Sequence, residues 1–316
     1  MRIVSLLASA TEMIAALGCL DQLVGRSHEC DYPSQVTDLP LVSTVQVDIE
    51  TSSAQIDAQI KALAREKQDT NALKALSIYA IDIDLLRLLQ PDLIFTQTQC
   101  EVCAVSEQDV TRALAQLTGL QPRIVSLAPY RLSDIWEDLL RVGEALGRPT
   151  QARALLHSYQ QRLEQLAHTT DQFSQDHGGR PRVAILEWLD PLMGAGNWTP
   201  ELVACAGGEP LFGEVGLHSP WLTWEELRAA DPDVLILAPC GFTLERTCRE
   251  LPLLQRHPIW PTLKAVREQR VYAIDGNAYL NRSGPRLVES AELLGCTLWG
   301  EHLAISVDEQ GWMHVT

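Results

Sequence analysis

Four cysteines lie just beyond apolar segments of the chain, and thiolates are ligands that zinc, iron and iron–sulfur clusters take from proteins. Cys100 and Cys103 have the C-x-x-C spacing found in metal and thiol-redox sites. Two similar segments end near Cys100 and Cys240, so both thiols are expected at the same edge of related sheets. The candidate metal ligands are Cys30, Cys100, Cys103 and Cys240.

The same cysteines have a second interpretation, because free cysteine is among the most buried residue types and often only packs loop ends. The chain has one C-x-x-C and no second pair. Cys100 also lacks a thioredoxin-like context and an evident cationic neighbour that would lower its pKa. Three roles for the cysteines therefore stay open: they bind a metal ion, they cover the metal of a bound chelate, or they only pack loop ends.

The predicted strands and helices that position these loops occur twice in the sequence. Short apolar runs with little alternation are typical of strands buried on both faces of a parallel sheet, and amphipathic helices separate them here. The pattern predicts two α/β lobes that face each other across a ligand cleft. The repeated segments are Arg2–Leu6, Pro91–Phe95 and Arg123–Leu127, then Arg182–Leu186, Pro232–Ile236 and Arg270–Ile274.

Helical patterns and breaks predict the domain boundaries. Residues 1–148 form an N-terminal α/β lobe with a helical insertion at about 48–78. Residues 149–172 form one long linking helix, and 173–316 form the C-terminal α/β lobe. Ser9 and Glu12 have the spacing of a capping box at the start of the first helix.

Composition narrows the classes of partner. The chain has 316 residues and a net charge of −16, which disfavours nucleic acid and anionic membrane surfaces. No signal peptide or membrane-spanning run is visible, so the chain as it stands predicts a cytoplasmic protein, or a periplasmic one if a leader has been removed. Sequence motifs of nucleotide-binding enzymes, metalloproteases and α/β-hydrolases are missing, so we expect no enzyme.

Over nearly its whole length the chain resembles the helical-backbone class (class III) of ABC-importer substrate-binding proteins, most closely their cobalamin-binding members. The motifs that carry the resemblance are Arg2–Leu6, Ser9–Glu12, Cys30–Pro33, Pro91–Ile94, Ala206–Glu209 and Pro232–Asp233. The resemblance implies two Rossmann-like lobes joined by one long helix, with an iron chelate, heme or corrinoid in the cleft. It also implies ABC transporter membrane subunits as partners, contacted by Glu107 and Glu209.

Aromatic residues predict how such a ligand is held, because flat aromatic faces suit a flat macrocycle. Seven of the eight tryptophans lie after residue 180. Trp188 and Trp198 are expected in the cleft, whereas at least half of the set Trp221, Trp224 and Trp260 should anchor loops in the core. The predicted ligand-binding residues are Ser9, Tyr32, Cys100, Tyr130, Trp188, Trp198, Cys240, Tyr279, Asn281 and Arg282.

The sequence thus predicts a non-enzymatic binding protein for cobalamin, another corrinoid, or a related tetrapyrrole or metal chelate, with a bound metal ion as an option. The alternative is a cytoplasmic metalloprotein or enzyme that uses Cys30, Cys100, Cys103 and Cys240 around zinc, iron or an iron–sulfur cluster. A third possibility is a cytoplasmic sensor or scaffold that has kept the fold and lost the ligand.

Overall fold

The structure is a computed structural model that describes residues 1–69, 79–98, 105, 107–114, 121–300, 303 and 311–315. It divides into two compact units, residues 1–129 with 133–156 and residues 130–132 with 157–316. Each unit has a central sheet of mainly parallel strands with helices between them. The predicted α/β class, with two sheets and one long helix between them in the chain, is confirmed.

The part of the chain before the long helix carries a four-stranded parallel sheet in the order β2-β1-β5-β6 and a small antiparallel pair, β3 with β4. Short 3₁₀ helices at Leu20–Gln22 and Ser34–Asp38 flank β2. The elements are β1 (Ile3–Ser5), α1 (Ala8–Ala16), β2 (Leu23–Arg26), β3 (Ser43–Val45), α2 (Ser53–Asp69), β4 (Tyr79–Ile81), α3 (Ile83–Leu89), β5 (Leu93–Gln97), α4 (Glu107–Leu114), β6 (Arg123–Leu127) and α5 (Leu132–Ala145).

The second sheet has the order β12-β11-β10-β7-β8, and β9 pairs with the start of β7. β11, β10, β7 and β9 are parallel to their neighbours, whereas β8 and β12 are antiparallel. The elements are α6 (Pro149–Asp176), β7 (Arg182–Leu189), β8 (Leu192–Gly194), α7 (Thr199–Cys205), β9 (Glu209–Pro210), α8 (Trp224–Ala230), β10 (Val234–Leu237), α9 (Leu244–Gln255), a 3₁₀ turn (Trp260–Thr262), α10 (Lys264–Arg267), β11 (Val271–Ile274), α11 (Leu287–Trp299) and β12 (Trp312–His314).

The sequence repeat has a structural counterpart at the base of the first sheet. The backbone N–H of Arg2 donates to Asp92 Oδ2 at 2.7 Å, which joins the start of β1 to the start of β5. The Arg2 guanidinium donates to the carbonyl of Leu89 at 2.6 Å, where α3 ends. Gln90 then turns the chain with a left-handed φ of +43°. We call this arrangement, formed by Arg2 and Asp92, the first arginine–aspartate clasp.

The second unit repeats this clasp with Arg182 and Asp233. The N–H of Arg182 donates to Asp233 Oδ2 at 2.8 Å, its guanidinium donates to the carbonyl of Ala230, and Asp231 turns the chain at φ +40°. Lys264 Nζ also donates to Asp233 at 2.6 Å. Burial raises the pKa of Asp233, but the Lys264 and Arg182 hydrogen bonds outweigh it, so the pKa is lowered.

The long helix α6 has 28 residues and is therefore about 42 Å long. Its buried side chains recur at helical spacing along one stripe, which explains why the segment folds as a single helix. They are Ala152, Tyr159, Leu163, Leu166, Thr170 and Ser174. None of the helices in the described ranges carries an apolar stretch long enough to cross a lipid bilayer.

One local prediction is wrong. Ser9 does not cap α1, because the helix already begins at Ala8 and its N-cap position is Leu7, which has no side-chain capping bond. Ser9 is instead buried in the first turn, 2% exposed. The capping box of the described chain lies at α8, where Thr223 and Glu226 hydrogen-bond each other's backbone N–H groups.

Candidate functional site

The carboxyl end of β7 and its antiparallel neighbours place three large side chains in line. Trp188 is paired with Met193 of β8, and Met193 forms a bridge with Trp221. Residues directly opposite each other in antiparallel pairs have side chains on the same face. Trp221 is 55% exposed, and Trp188 and Met193 are half-buried. Trp188, Met193 and Trp221 are hereafter called the aromatic row.

Glu187 lies beside this row and has no partner residue on β8. The pairing passes from Leu186 with Gly194 directly to Trp188 with Met193, so Glu187 is the extra residue of a β-bulge. Its carboxylate accepts a hydrogen bond from Ser219 Oγ at 2.8 Å. Burial raises the pKa of Glu187, and the hydrogen bond from Ser219 only partly offsets this effect.

The loop after β10 packs an aromatic ring against the row. The Phe242 ring is 2% exposed, and its centroid lies 5.2 Å from that of Trp188 in an edge-to-face contact. The guanidinium carbon of Arg246 lies 3.8 Å from the centroid of the Phe242 ring, a cation–π distance. Cys240 is half-buried in this loop, and its backbone N–H donates to the carbonyl of Glu187.

The loop after β11 brings three predicted ligand-binding residues to the same edge of the sheet. The side-chain amide of Asn281 donates to the carbonyls of Ala238 and Gly276, at 2.9 and 3.1 Å. The guanidinium of Arg282 donates to Asn277 Oδ1 at 2.8 Å, and Arg282 is only 7% exposed. Tyr279 is likewise buried, 8% exposed. These hydrogen bonds give Asn281 and Arg282 structural roles in holding the loop.

Trp198 differs from its expected environment. It is 6% exposed, and its indole N–H donates to the carbonyl of Leu280 at 2.7 Å. A buried ring with a satisfied N–H anchors the start of α7 rather than offering an open stacking face. Trp224 stacks on His257 with centroids 4.0 Å apart, and Trp260 is buried, as expected of loop anchors. Trp221 is the exposed member of that set.

In the first unit, the thiol of Cys30 is fully buried among hydroxyl groups. Thr11 Oγ1 donates to Cys30 Sγ at 3.0 Å, and Ser27 Oγ lies 3.2 Å from the same sulfur. The thiol also donates to the carbonyl of Ser5 at 3.7 Å. This environment is that of a packed, hydrogen-bonded thiol that ties the loop after β2 to α1.

The guanidinium of Arg26 holds the loop after β2 in place. It donates to the carbonyls of Ser27, Cys30 and Thr37 at 3.2, 3.1 and 2.8 Å. Tyr32 is 47% exposed in this loop. The first unit thus offers Tyr32 as an accessible aromatic ring, whereas the predicted ligand-binding residue Ser9 is buried.

The predicted metal site is only partly described. Cys100 and Cys103 lie outside the described residues, so the C-x-x-C stays a prediction. Over residues 1–69, 79–98, 105, 107–114, 121–300, 303 and 311–315, no group of three histidine, cysteine, aspartate or glutamate side chains is arranged to hold a metal ion. Burial raises the pKa values of Cys205 and Cys296, which keeps these two cysteines as thiols.

The remaining predicted residues lie at the surface or close to it. Tyr130 is 41% exposed. Glu209 is exposed at the start of β9. Glu107 is half-buried in the first turn of α4, and its carboxylate accepts a short hydrogen bond from Ser126.

The structure therefore brings together Trp188, Cys240, Asn281 and Arg282 at the carboxyl edge of the second sheet. Sequence reasoning missed the roles of Trp221, Phe242 and Glu187 there. Trp221 follows Pro220, which reads as a loop, but its cross-strand pairing joins residues 28 positions apart and has no local signal. Phe242 directly follows Cys240-Gly241, and this position after a predicted strand could have identified it.

Comparison with known proteins agrees with this architecture. The family described as "Periplasmic binding protein" matches residues 3–278. The vitamin B12-binding protein of Pectobacterium atrosepticum is 24% identical over 293 residues, which cover 92% of this chain and 86% of that protein. Among solved structures, a periplasmic heme binding protein from Pseudomonas aeruginosa matches with a TM-score of 0.72 and 20% identity, covering 97% of this chain and 95% of that one. The periplasmic vitamin B12 binding protein BtuF of Vibrio cholerae matches with a TM-score of 0.62 and 22% identity, covering 94% and 96%.

Proposed function

Because the chain belongs to the periplasmic binding protein family, we propose that it binds a corrinoid or a related tetrapyrrole or metal chelate and releases it unchanged. The aromatic row of Trp188, Met193 and Trp221 is the observation that carries this proposal. Two strand spacings separate the outer members, about 10 Å, so the row is a narrow apolar strip. Such a strip suits the edge or face of a flat macrocycle.

The polar neighbours of the row would orient the ligand. Asn281 and Arg282 would do so indirectly, because their side chains already hold the adjacent loop through hydrogen bonds to Ala238, Gly276 and Asn277. Cys240 would cover the ligand or approach its metal. Tyr130 would add stacking surface, since its ring is more than a third exposed. Tyr32 of the first unit is also more than a third exposed, and its part in binding stays a prediction from the sequence. Whether this ligand lies in a cleft of the two units stays a prediction from the sequence.

The names of the relatives support the class of ligand more than its identity. One relative is named for vitamin B12 and one structural neighbour for heme, and both ligands are planar metal macrocycles. We propose the corrinoid as the first candidate, because the curated relatives that match over most of the chain are named for it. Heme is the alternative ligand that the experiment must test alongside.

Transport is the proposed context. A binding protein of this family would deliver its ligand to the membrane subunits of an ABC transporter, and Glu209 and Glu107 are the proposed contacts. The exposed Glu209 is the more accessible of the two, whereas Glu107 already accepts a bond from Ser126. Fractionation of cells that express the full gene product would decide between the periplasm, which the family name indicates, and the cytoplasm expected from the chain.

The decisive experiment is a titration of the protein purified without added metal, first with cobalamin and then with hemin. Ligand absorbance and tryptophan fluorescence are followed after the metal content has been recorded. We expect saturable binding of one equivalent of one probe, and at least tenfold weaker binding in Trp188→Ala and in Trp221→Ala, because each removes an aromatic face.

Trp224→Ala is the matched control, because its ring stacks on His257 and lies outside the aromatic row. It should bind like the wild type. Absence of binding to either probe, together with near-stoichiometric metal that disappears in Cys100→Ser, would overturn the proposal and favour the cysteine-ligated metal site.

A further inference from the structure

The loop at residues 213–222, which contains Trp221, is fixed along one edge by backbone hydrogen bonds. The N–H of Asn197 donates to Leu217 O at 2.7 Å, and that of Gly216 donates to Asn197 O at 3.0 Å. The N–H of Gly194 donates to Pro220 O at 2.9 Å. The loop thus runs beside the segment that follows β8 as an additional, irregular edge of the sheet.

Apolar side chains of this loop point outward. Leu217 and Trp221 are each 55% exposed, and Val215 is 38% exposed. Ser219, in contrast, is 4% exposed and turned toward the sheet. The buried Ser219 therefore lies between two exposed apolar residues of the same short segment, Leu217 and Trp221.

Ser219 and Glu187 join the loop to the central sheet through side chains. The N–H of Gly196 donates to Ser219 Oγ at 3.1 Å, and Ser219 Oγ donates to Glu187 Oε2 at 2.8 Å. A Cβ atom on Gly196 would lie 2.6 Å from Leu217 O, so the loop approaches here as closely as the backbone permits. A shift of the loop would therefore break several bonds together.

Glu187 is suited to this task by its place in the bulge. A regular strand position would pair it with β8, whereas the extra residue of a bulge is free to aim its side chain elsewhere. Its neighbour Trp188 remains in the aromatic row. The bulge therefore leaves Trp188 in the aromatic row and at the same time directs Glu187 toward Ser219 of the loop.

We propose that Glu187 is a positioning residue that, through Ser219, holds the 213–222 loop so that Leu217 and Trp221 form a preorganised apolar wall for the ligand. The ligand-facing part of this inference rests on the proposed function. Preorganisation of a binding surface raises affinity because less conformational entropy is lost on binding. Glu187 itself need not touch the ligand.

The first test uses the ligand-free protein. Amide hydrogen exchange is compared among the wild type, Glu187→Ala, Glu187→Gln and Ser219→Ala. Glu187→Ala and Ser219→Ala should raise exchange at the loop contacts about tenfold or more, whereas glutamine keeps the acceptor oxygen and should retain protection. The reporting amides are Gly194, Asn197, Gly216 and Leu222.

The second test is the titration with cobalamin and hemin. Glu187→Ala and Ser219→Ala should weaken binding about tenfold. Glu187→Gln, which keeps the acceptor oxygen, should bind with the affinity of the wild type. The matched control is Glu226→Ala, because this carboxylate also accepts a hydrogen bond from a hydroxyl, that of Thr223, but at the start of α8. It should lower stability slightly and leave the affinity unchanged.

The outcomes distinguish the positioning role of Glu187 from the proposed ligand-binding function. Unchanged exchange in Glu187→Ala and Ser219→Ala overturns the positioning role, whatever the ligand. Faster exchange with unchanged affinity shows an ordinary structural bond and also overturns the inference. A wild-type protein that binds neither probe overturns the proposed function and the ligand-facing part of the inference, while the exchange data still decide whether Glu187 holds the loop.

Discussion

The two units hold the loops at the carboxyl edges of their sheets in different ways. In the first unit, a single cation, Arg26, donates to three carbonyls of one loop. In the second unit, neighbouring loops bind one another: Cys240 N–H donates to Glu187 O, Asn277 N–H to Phe242 O, and the Asn281 amide to Ala238 O. The first arrangement centres on one side chain, with the Cys30 thiol as a further tie, whereas the second distributes its hydrogen bonds over three loops.

The largest effect should come from Arg26→Ala. Removing the guanidinium leaves three loop carbonyls without their donor. A single hydrogen bond to a charged group contributes about 1.5–3 kcal/mol, and the three bonds share one guanidinium, so their contributions are not additive. We expect a loss of about 3 kcal/mol in the free energy of unfolding, measured by urea denaturation. Arg87→Ala, which breaks a surface pair with Asp84, should cost less than about 0.5 kcal/mol. Equal losses would contradict the comparison.

The second prediction concerns two aspartates of opposite character. Burial raises the pKa of Asp138 to about 6, and the nearby Arg141 only partly offsets this. The folded protein therefore binds that proton more tightly than the unfolded chain, so the ionised carboxylate lowers stability above about pH 6, and this penalty vanishes as the pH falls toward 3.8. Asp138→Asn should be more stable than the wild type by about 2 kcal/mol at pH 7.

Asp233 should show the reverse sign, because its pKa is lowered and its carboxylate accepts bonds from Lys264 and Arg182. Asp233→Asn should be less stable than the wild type at pH 7, and the difference should shrink as the pH falls through the acid range. Urea denaturation at pH 7 and pH 4 measures both variants. Parallel pH profiles for wild type and Asp138→Asn would show that the buried carboxyl has an ordinary pKa.

A smaller effect is expected from Asn281→Ala in the second unit. The variant removes two N–H bonds, to Ala238 and Gly276, but the backbone bonds between these loops remain. We expect a loss of about 1–2 kcal/mol, less than for Arg26→Ala. Differential scanning calorimetry of both variants measures the order, and a larger loss for Asn281→Ala would show that the second edge also depends on one side chain.

The smallest effect on stability is expected at the start of helix α8. Thr223→Ala removes the capping box of α8 and should cost about 1 kcal/mol. Thr223→Ser keeps the acceptor hydroxyl and serves as the control, since serine caps at least as well. Thermal unfolding measures both, and a loss of stability in Thr223→Ser as large as in Thr223→Ala would show that packing of the threonine methyl group, rather than the cap, stabilises this turn.

Much of the architecture could be predicted from the sequence because its signals are local. Runs such as Arg123–Leu127 are apolar and short enough to be strands, and the structure places β6 there. The long helix was visible from its periodic apolar residues. The capping box at Ser9 failed because the pattern does not show where the helix begins, and the N-cap of α1 is Leu7, two residues earlier.

The site was less predictable because its contacts join distant residues. Trp198 was expected in the ligand cleft, but it is buried, and the carbonyl that accepts its N–H belongs to Leu280, 82 residues away. At least half of the set Trp221, Trp224 and Trp260 was expected in the core, and the sequence did not show that Trp221 is the member that pairs with Met193 at the sheet edge and stays 55% exposed. Burial of an aromatic residue depends on such tertiary partners and not on its own neighbours in the chain.

The two arginine–aspartate clasps also bear on the order in which the sheets can form. The first clasp closes a chain segment of 90 residues, between Arg2 and Asp92, whereas the second closes 51, between Arg182 and Asp233. By the usual logarithmic dependence of loop-closure entropy on length, the longer closure costs about 0.5 kcal/mol more, roughly a twofold difference in rate if closure is limiting. The strands of the first unit are synthesised earlier. The strands of the second unit, however, close a shorter length of chain when they pair.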